Sequence, residues 1–432
     1  MNMFTRKIGK NVIASTCLMG LGQLMYGQIG KGLLYLAVLA CGVLYATLRG
    51  FSDLAGFFTL GTKEKDAWFG IEGDNSVVML LMGILVIAAI ILFISLYLSN
   101  IRDAYETQML VERGGKPRTF LEDVKKLLDE KFYKTALFLP IIGVSIFSIL
   151  PIVFMIAVAF TNYGGNIVPP KLVDWVGFKN FIQIATLSKF APTFGKILNW
   201  NLLWAATSTF LNYFAGLGLA LLLNRKCVRG TIIWRAFPIL AYAVPGFITL
   251  LGFRFMFSYG GPINQIIMDM GYRAIGFLDI DAKWMARLIG LLVNAWITVP
   301  SIMLLATGIL TNVDQDQLEA AKIDGAKRWK QFTKIVFPFV LFSTTPVIIG
   351  QFIGNFNNFG IFFFLRGGLY MDGYFLASDT DLLINWLYNL SINNNYYNIG
   401  AAISLVIFLI TSMISLLVYV KSPSYKEEDT YR

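Results

Sequence analysis

The stretch "LEAAKIDGAKRWKQF", Leu318–Phe332, lies between two long apolar runs. Upstream, Leu288–Leu310 has no Asp, Glu, Lys or Arg; downstream, Lys334–Leu365 carries its one charge at its first residue. Either run is long enough to cross a hydrocarbon core, which takes about 20 apolar residues as a helix. A segment this polar between two such runs is a connection returned to water, so the runs on either side are consecutive membrane spans.

The same pattern repeats along the chain. Val77–Leu98, Ala136–Phe160, Leu202–Leu223 and Ile399–Val420 are also free of charge. Gly32–Leu48 is a shorter span. Ile232–Phe257 carries Arg235 and Arg254 near its ends, where long side chains snorkel to the headgroups. Pro338 and Pro346 predict a kink or tilt in Lys334–Leu365. The result is an all-α integral membrane protein of about eight transmembrane helices. Hydrophobic residues make up 56% and charged ones 14% of the chain, against about 25% charged in soluble domains. Glycine-rich Asn11–Gln28 reads as an interfacial or half-inserted helix.

Basic residues set the orientation. The Asn100–Thr135 loop has eight Lys or Arg and Arg366–Asn398 has one, which places both termini, Asn100–Thr135, Asn224–Thr231 and Thr311–Thr333 in the cytoplasm. The net charge of +10 then belongs to a rim facing anionic lipid rather than nucleic acid. Cys17, Cys41 and Cys227 fit no disulfide or metal pattern. The expected organisation is an N-terminal segment 1–31, spans one to three in 32–160 with the loop 100–135, an outer loop 161–197, a core 198–421 containing the loop 311–334, and a tail 422–432.

Several mechanisms lack their residues. The chain has no histidine, no phosphate-binding G-x-x-x-x-G-K-[ST] loop and no carboxylate in the charge-free spans. A passive channel, an ion-driven carrier and a pore subunit powered by another polypeptide remain. Gly325 divides Thr311–Pro338 into two short helices, the first over Asp316–Asp324 and the second from near Ala326. Small residues flanked by Glu319, Asp324 and a run of bases suit docking on a cytoplasmic partner; an ordinary basic loop has the same charge.

Glu319-Ala320-Ala321, Asp324-Gly325-Ala326, Phe332, Ile335 and Pro338 resemble the EAA loop of ABC importer permeases. With "AYAVPGFI" (Ala241–Ile248), "NAWITVPS" (Asn294–Ser301), "GNFNNFGIFFF" (Gly354–Phe364) and "TDLLINWLY" (Thr380–Tyr388), the chain is similar to the MalF-type permeases of maltose and maltodextrin importers. The resemblance implies a type I importer fold and coupling to an ATPase through Glu319, Ala320, Ala321, Asp324, Gly325 and Ala326. It also implies a second, MalG-like permease, two MalK-like ATPase copies holding ATP and Mg2+, and an extracellular sugar-binding lipoprotein. This chain itself would bind no cofactor or metal. Its short outer loop after the third span is similar to the Gram-positive layout, in the cell membrane.

An uncharged sugar favours amides, which donate and accept at once, and avoids buried ions. Gln351, Asn355 and Asn358 share a helix face by spacing, as do Asn294, Thr298 and Ser301, and Tyr242 and Gly246 around Pro245. Polar residues of this kind either join helices or contact ligand. By resemblance, Tyr242, Gly246, Asn294, Thr298, Ser301, Gln351, Asn355 and Asn358 are the candidate substrate-binding residues. Phe362–Phe364 read as lipid-facing, Asn389–Asn398 as a solvated loop or a binding-protein contact, and 100–135 as a loop ending in an amphipathic helix.

Overall fold

A computed structural model describes residues 9–65, 68, 72–225, 227–421 and 425. Arg6, Lys7 and, apart from Tyr425, the expected tail 422–432 lie outside them. The chain divides into two compact units, Met1–Gly177 and Phe178–Arg432, so the boundary falls inside the segment 161–197.

In the first unit, α1 (Lys10–Cys17) and α2 (Leu21–Met25) precede α3 (Ile29–Tyr45), which continues through a π-helical turn into α4 (Phe51–Thr59). Then come α5 (Ser76–Glu112), α6 (Phe120–Leu128) and α7 (Phe132–Val144), the last running through another π-helical turn into α8 (Leu150–Ala159). Three spans result: Ile29–Thr59, Ser76–Glu112 and Phe132–Ala159. The glycine-rich stretch is two short helices stapled to α5 rather than one half-inserted helix. Asn100 accepts from Gly20 N and donates to Ser15 O, while Gln23 donates to Asn100 O and Asp103. The Asn100 amide satisfies backbone on both sides of the break, and Gln23 ties α2 to α5. Thr119 and Glu122 close a capping box on α6, which fixes the start of the expected amphipathic helix.

The second unit opens with α9 (Lys179–Thr186) and α10 (Ala191–Leu223), so helix occupies the end of the expected outer loop. The fifth span is α11 (Thr231–Ala243) plus α12 (Gly246–Met256), bent by 94°. The break sits at Pro245, which has no N–H to continue a helix. After α13 (Pro262–Asp269) come α14 (Lys283–Leu310), α15 (Gln315–Ile323) and α16 (Arg328–Gln331). A π-helical turn leads into α17 (Phe337–Phe356), and a break separates it from α18 (Gly360–Arg366). α19 (Leu383–Tyr388) and α20 (Tyr397–Lys421) complete it.

Seven described helices can span a membrane, or eight counting the bent pair. The core of this unit is α10 against α14, α17 and α18. Gly216 lets α14 approach α10, since a Cβ there would fall 2.6 Å from Ile302. Trp204 lies 5.0 Å from Phe362, centroid to centroid, and both are buried. Phe362 is therefore core rather than lipid-facing; the break after Asn357 turns α18 inward. Asn389–Asn398 is anchored at both ends, where Asn389 is buried and holds Asn393 and Asn394 and Asn398 donates to Asn180, while Ile392, Asn393 and Asn395 are exposed.

Candidate functional site

The break between α17 and α18 is stitched by asparagines. Asn201 donates to Phe356 O at 3.1 Å and accepts from Leu383 N at 2.8 Å, joining the end of α17 to the start of α19. Asn385 donates to Phe359 O, and Asn358 accepts from Ile361 N, capping α18. A helix interrupted in a membrane needs such replacements for its lost backbone bonds.

Beside this break runs an amide ladder. Asn355 donates to Thr209 Oγ1 at 3.0 Å and accepts from Asn294 Nδ2 at 3.2 Å; Asn294 accepts from Asn358 Nδ2 at 3.4 Å. Asn294, Asn355 and Thr209 are buried and Asn358 is half-buried. Three predicted site residues thus come together, with Thr209 as a member the sequence reading missed. Its span also holds Thr207, Ser208 and Asn212, so its place in the sequence alone did not single it out. Asn358 reaches the ladder from the break, not from the continuous face that its spacing from Gln351 predicts. The remaining candidates are not drawn in by hydrogen bonds. Tyr242 is exposed and makes no side-chain hydrogen bond to a described residue, a Cβ at Gly246 would meet open space, and Ser301 donates only to Thr298 O. Gln351 and Thr298 are half-buried.

The Leu318–Phe332 stretch has the expected helix–turn–helix form. Asp314 caps α15 by accepting from Asp316 N. At the other end Gly325 has φ +77°, its N–H donates to Lys322 O, and Ala326 N donates to Ala321 O. This is a Schellman cap, in which only glycine or asparagine adopts the left-handed position cheaply. The Asp-Gly-Ala triplet is thus the terminator of the helix that carries Glu-Ala-Ala. Glu319, Ala320, Asp324 and Gly325 are exposed, and Ala321 and Ala326 half-buried. Ile323 and Trp329 are 87% and 74% exposed, so a charged segment presents two large apolar side chains to whatever covers it.

A third cluster was not anticipated. Arg366 uses all five of its N–H donors: to Leu278 O, Asp279 O, Ile280 O, Asp379 Oδ1 and Thr380 Oγ1. Arg287 donates to Asp379 O and lies 3.7 Å from the Trp200 ring centroid. Asp381, held by Ser378 N and Oγ, is pushed up to about 6 chiefly by burial, with Asp379 adding to the rise and Arg366 opposing it. The one cation of the outer segment is a structural bolt, invisible to counts of surface charge.

The molecule is a polytopic helical bundle with a bent fifth span, a broken seventh span and an exposed helix–turn–helix between its sixth and seventh spans. Residues 212–423 match the family described as binding-protein-dependent transport system inner membrane component. The maltodextrin transport system permease protein MalC of Streptococcus pneumoniae is 33% identical over 421 residues, covering 95% of each chain. The galactooligosaccharides transport system permease protein GanP of Bacillus subtilis is 33% identical over 418 residues, covering 95% of this chain and 96% of that one. The structure of a bacterial ABC transporter that imports alginate matches with TM-score 0.57 at 18% identity, over 69% of this chain and 96% of its own. The chain belongs to the family of binding-protein-dependent importer permeases, and within it to the MalF type. It is a non-catalytic, multi-pass membrane subunit, and a carrier acting alone is set aside.

Proposed function

We propose that this chain forms half of the translocation path of a maltodextrin importer. The observation that carries the substrate class is the Thr209–Asn355–Asn294–Asn358 ladder: uncharged and amide-rich, beside a helix break in a span. Each amide has two donors and two acceptor lone pairs, so the ladder retains capacity for sugar hydroxyls. Tyr242, Gly246, Thr298, Ser301 and Gln351 would line the path nearby.

The remaining parts come from relatives and chemistry together. A MalG-like permease would supply the other half, an extracellular sugar-binding lipoprotein would deliver substrate, and two MalK-like ATPases would hold ATP and Mg2+. Ile323 and Trp329, beside Glu319 and the Gly325 turn, would be covered by one ATPase copy. Its closure would move α15 and shift the spans around the ladder between inward and outward access; only contacts that differ between those two states can do this. Both termini and the loops 100–135 and 311–334 would be cytoplasmic, in the cell membrane of a Gram-positive bacterium. The segments 1–31, 32–160, 161–197, 198–421 and 422–432 serve as working regions.

A second substrate is favoured by one observation: the galactooligosaccharide permease is as similar as the maltodextrin one. The test is ATPase stimulation in the reconstituted complex by binding protein loaded with maltotriose, maltotetraose or a galactooligosaccharide. Stimulation by the maltodextrins alone supports the proposal; stimulation by the galactooligosaccharide alone, or by neither, overturns it.

A further inference from the structure

We propose that the first unit holds an anionic phospholipid, its headgroup in a basic cavity and its acyl chains in an adjoining apolar groove. The cavity, of about 340 Å³, lies where α5 passes from the charge-free Val77–Leu98 into Arg102, Asp103 and Glu106, which is the depth of a membrane interface. Its lining holds six cations, Lys31, Arg102, Arg118, Lys126, Lys131 and Lys134, against three carboxylates, Asp103, Glu106 and Asp123. Lys31 is committed to Asp103 and Asp123, and Lys126 to Glu130. Arg102, Arg118, Lys131 and Lys134 have no ion-pair partner among the described residues. The cavity therefore offers unspent positive charge.

Lys134 also lines a second space, a groove of about 1110 Å³ between α5 and the α7–α8 span. From Tyr133 to Ala157 it follows some 24 residues of helix, about 36 Å at 1.5 Å per residue. Its walls are aliphatic and aromatic, and the hydroxyls of Ser95 and Ser145 are turned back onto Ile91 O and Ile141 O. The groove thus asks for an apolar occupant without hydrogen-bonding needs. Charge at one end and hydrocarbon along the rest is the layout of a phospholipid, and basic pockets between spans recognise acidic headgroups.

The test is native mass spectrometry of the full chain equilibrated with equal dioleoyl phosphatidylglycerol and dioleoyl phosphatidylcholine. The proposal predicts retention of phosphatidylglycerol over phosphatidylcholine, and a loss of about tenfold or more in Lys131→Gln/Lys134→Gln. Ala88→Trp, which fills the groove and leaves the cations intact, should lose it as well. Unfolding temperature in phosphatidylcholine reports folding; Arg118→Gln replaces the charge variant if that fails there, and Ala89→Trp replaces Ala88→Trp. Equal retention of both lipids, or unchanged retention in the charge variant, overturns the proposal. Displacement by inorganic phosphate, or full retention in Ala88→Trp, would assign the cavity to a free anion. Loss of the lipid on assembly with the second permease would assign the groove to a partner helix.

Discussion

Arg366→Lys keeps the charge of the outer bolt and removes its fork. The guanidinium satisfies five acceptors, three of them main-chain carbonyls of the segment before α14. An ammonium has three N–H donors, so at least two acceptors lose their partner. Each buried unsatisfied group costs about 1–3 kcal/mol, which puts the substitution at about 2–6 kcal/mol. For a unit of this size that is a fall on the order of 10 °C in unfolding temperature. Tryptophan fluorescence during thermal unfolding reads it directly, since Trp200 donates to Thr380 O at 3.0 Å within the same cluster. The companion cycle sharpens it: Asp379→Leu alone leaves a buried cation without its carboxylate, about 3–5 kcal/mol, and Arg366→Met/Asp379→Leu, which also strips Leu278 O, Asp279 O, Ile280 O and Thr380 Oγ1 of their donor, should be less stable still. An Arg366→Lys protein within 2 °C or so of wild type, or a double variant more stable than Asp379→Leu, would refute the five-donor account.

Asp381 titrates near 6 because burial disfavours its charge. Its folded-state value lies above the unfolded 3.8, so the fold is penalised above pH 6 and gains stability as pH falls from about 6 towards 4, by about 3 kcal/mol at most. Asp381→Asn should raise stability at pH 7.5 and flatten that pH dependence, as measured by unfolding temperature across the range. Asn212 is buried with neither Nδ2 nor Oδ1 bonded; Asn212→Leu should stabilise by about 1–3 kcal/mol, and slower transport with higher stability would show that Asn212 finds its partners in the other access state. Gly325→Pro cannot reach φ +77° and has no N–H for Lys322 O, whereas Gly325→Asn can. Proline should abolish ATPase assembly with the chain still folded, since nothing lies within 4 Å of a Cβ there, and asparagine should retain it.

What was legible in the sequence was what periodicity and charge carry. Charge-free runs marked spans because lipid excludes unpaired ions over a known thickness, and Gly325 marked a turn because few residues adopt its conformation. The breaks were half legible. Pro245 announced the bend in the fifth span, but nothing proline-like announces the break at Asn357; it exists because Asn201 and Asn385, distant in sequence, take over its backbone bonds. Arg366, Asp379 and Asp381 were read as outer-loop residues for the same reason. A charge looks solvated until tertiary structure supplies five acceptors or a dry pocket. Phe362 shows the opposite error, an aromatic beside the membrane face turned into the core by a break the pattern did not encode.

The ladder residues also differ from one another in a way that spacing could not show. Asn355 is 4% exposed, and both ends of its amide are engaged, with Thr209 and Asn294. Asn358 is half-buried, and its contact with Asn294 is the longest of the three at 3.4 Å. A sugar hydroxyl replaces a long, partly open contact at little cost, whereas displacing Asn355 leaves two buried groups unpaired. Asn358→Ala should therefore raise the KM for sugar-stimulated ATPase about tenfold, one lost hydrogen bond to ligand being worth about 1.4 kcal/mol on that scale, and lower the unfolding temperature only by the loss of the α18 cap at Ile361 N, about 1 kcal/mol. Asn355→Ala should do the reverse, lowering the unfolding temperature with KM nearly constant. The opposite assignment, or equal effects of both, would mean that the ladder acts as a single joint between α14 and α17 and that sugar is recognised elsewhere along the path.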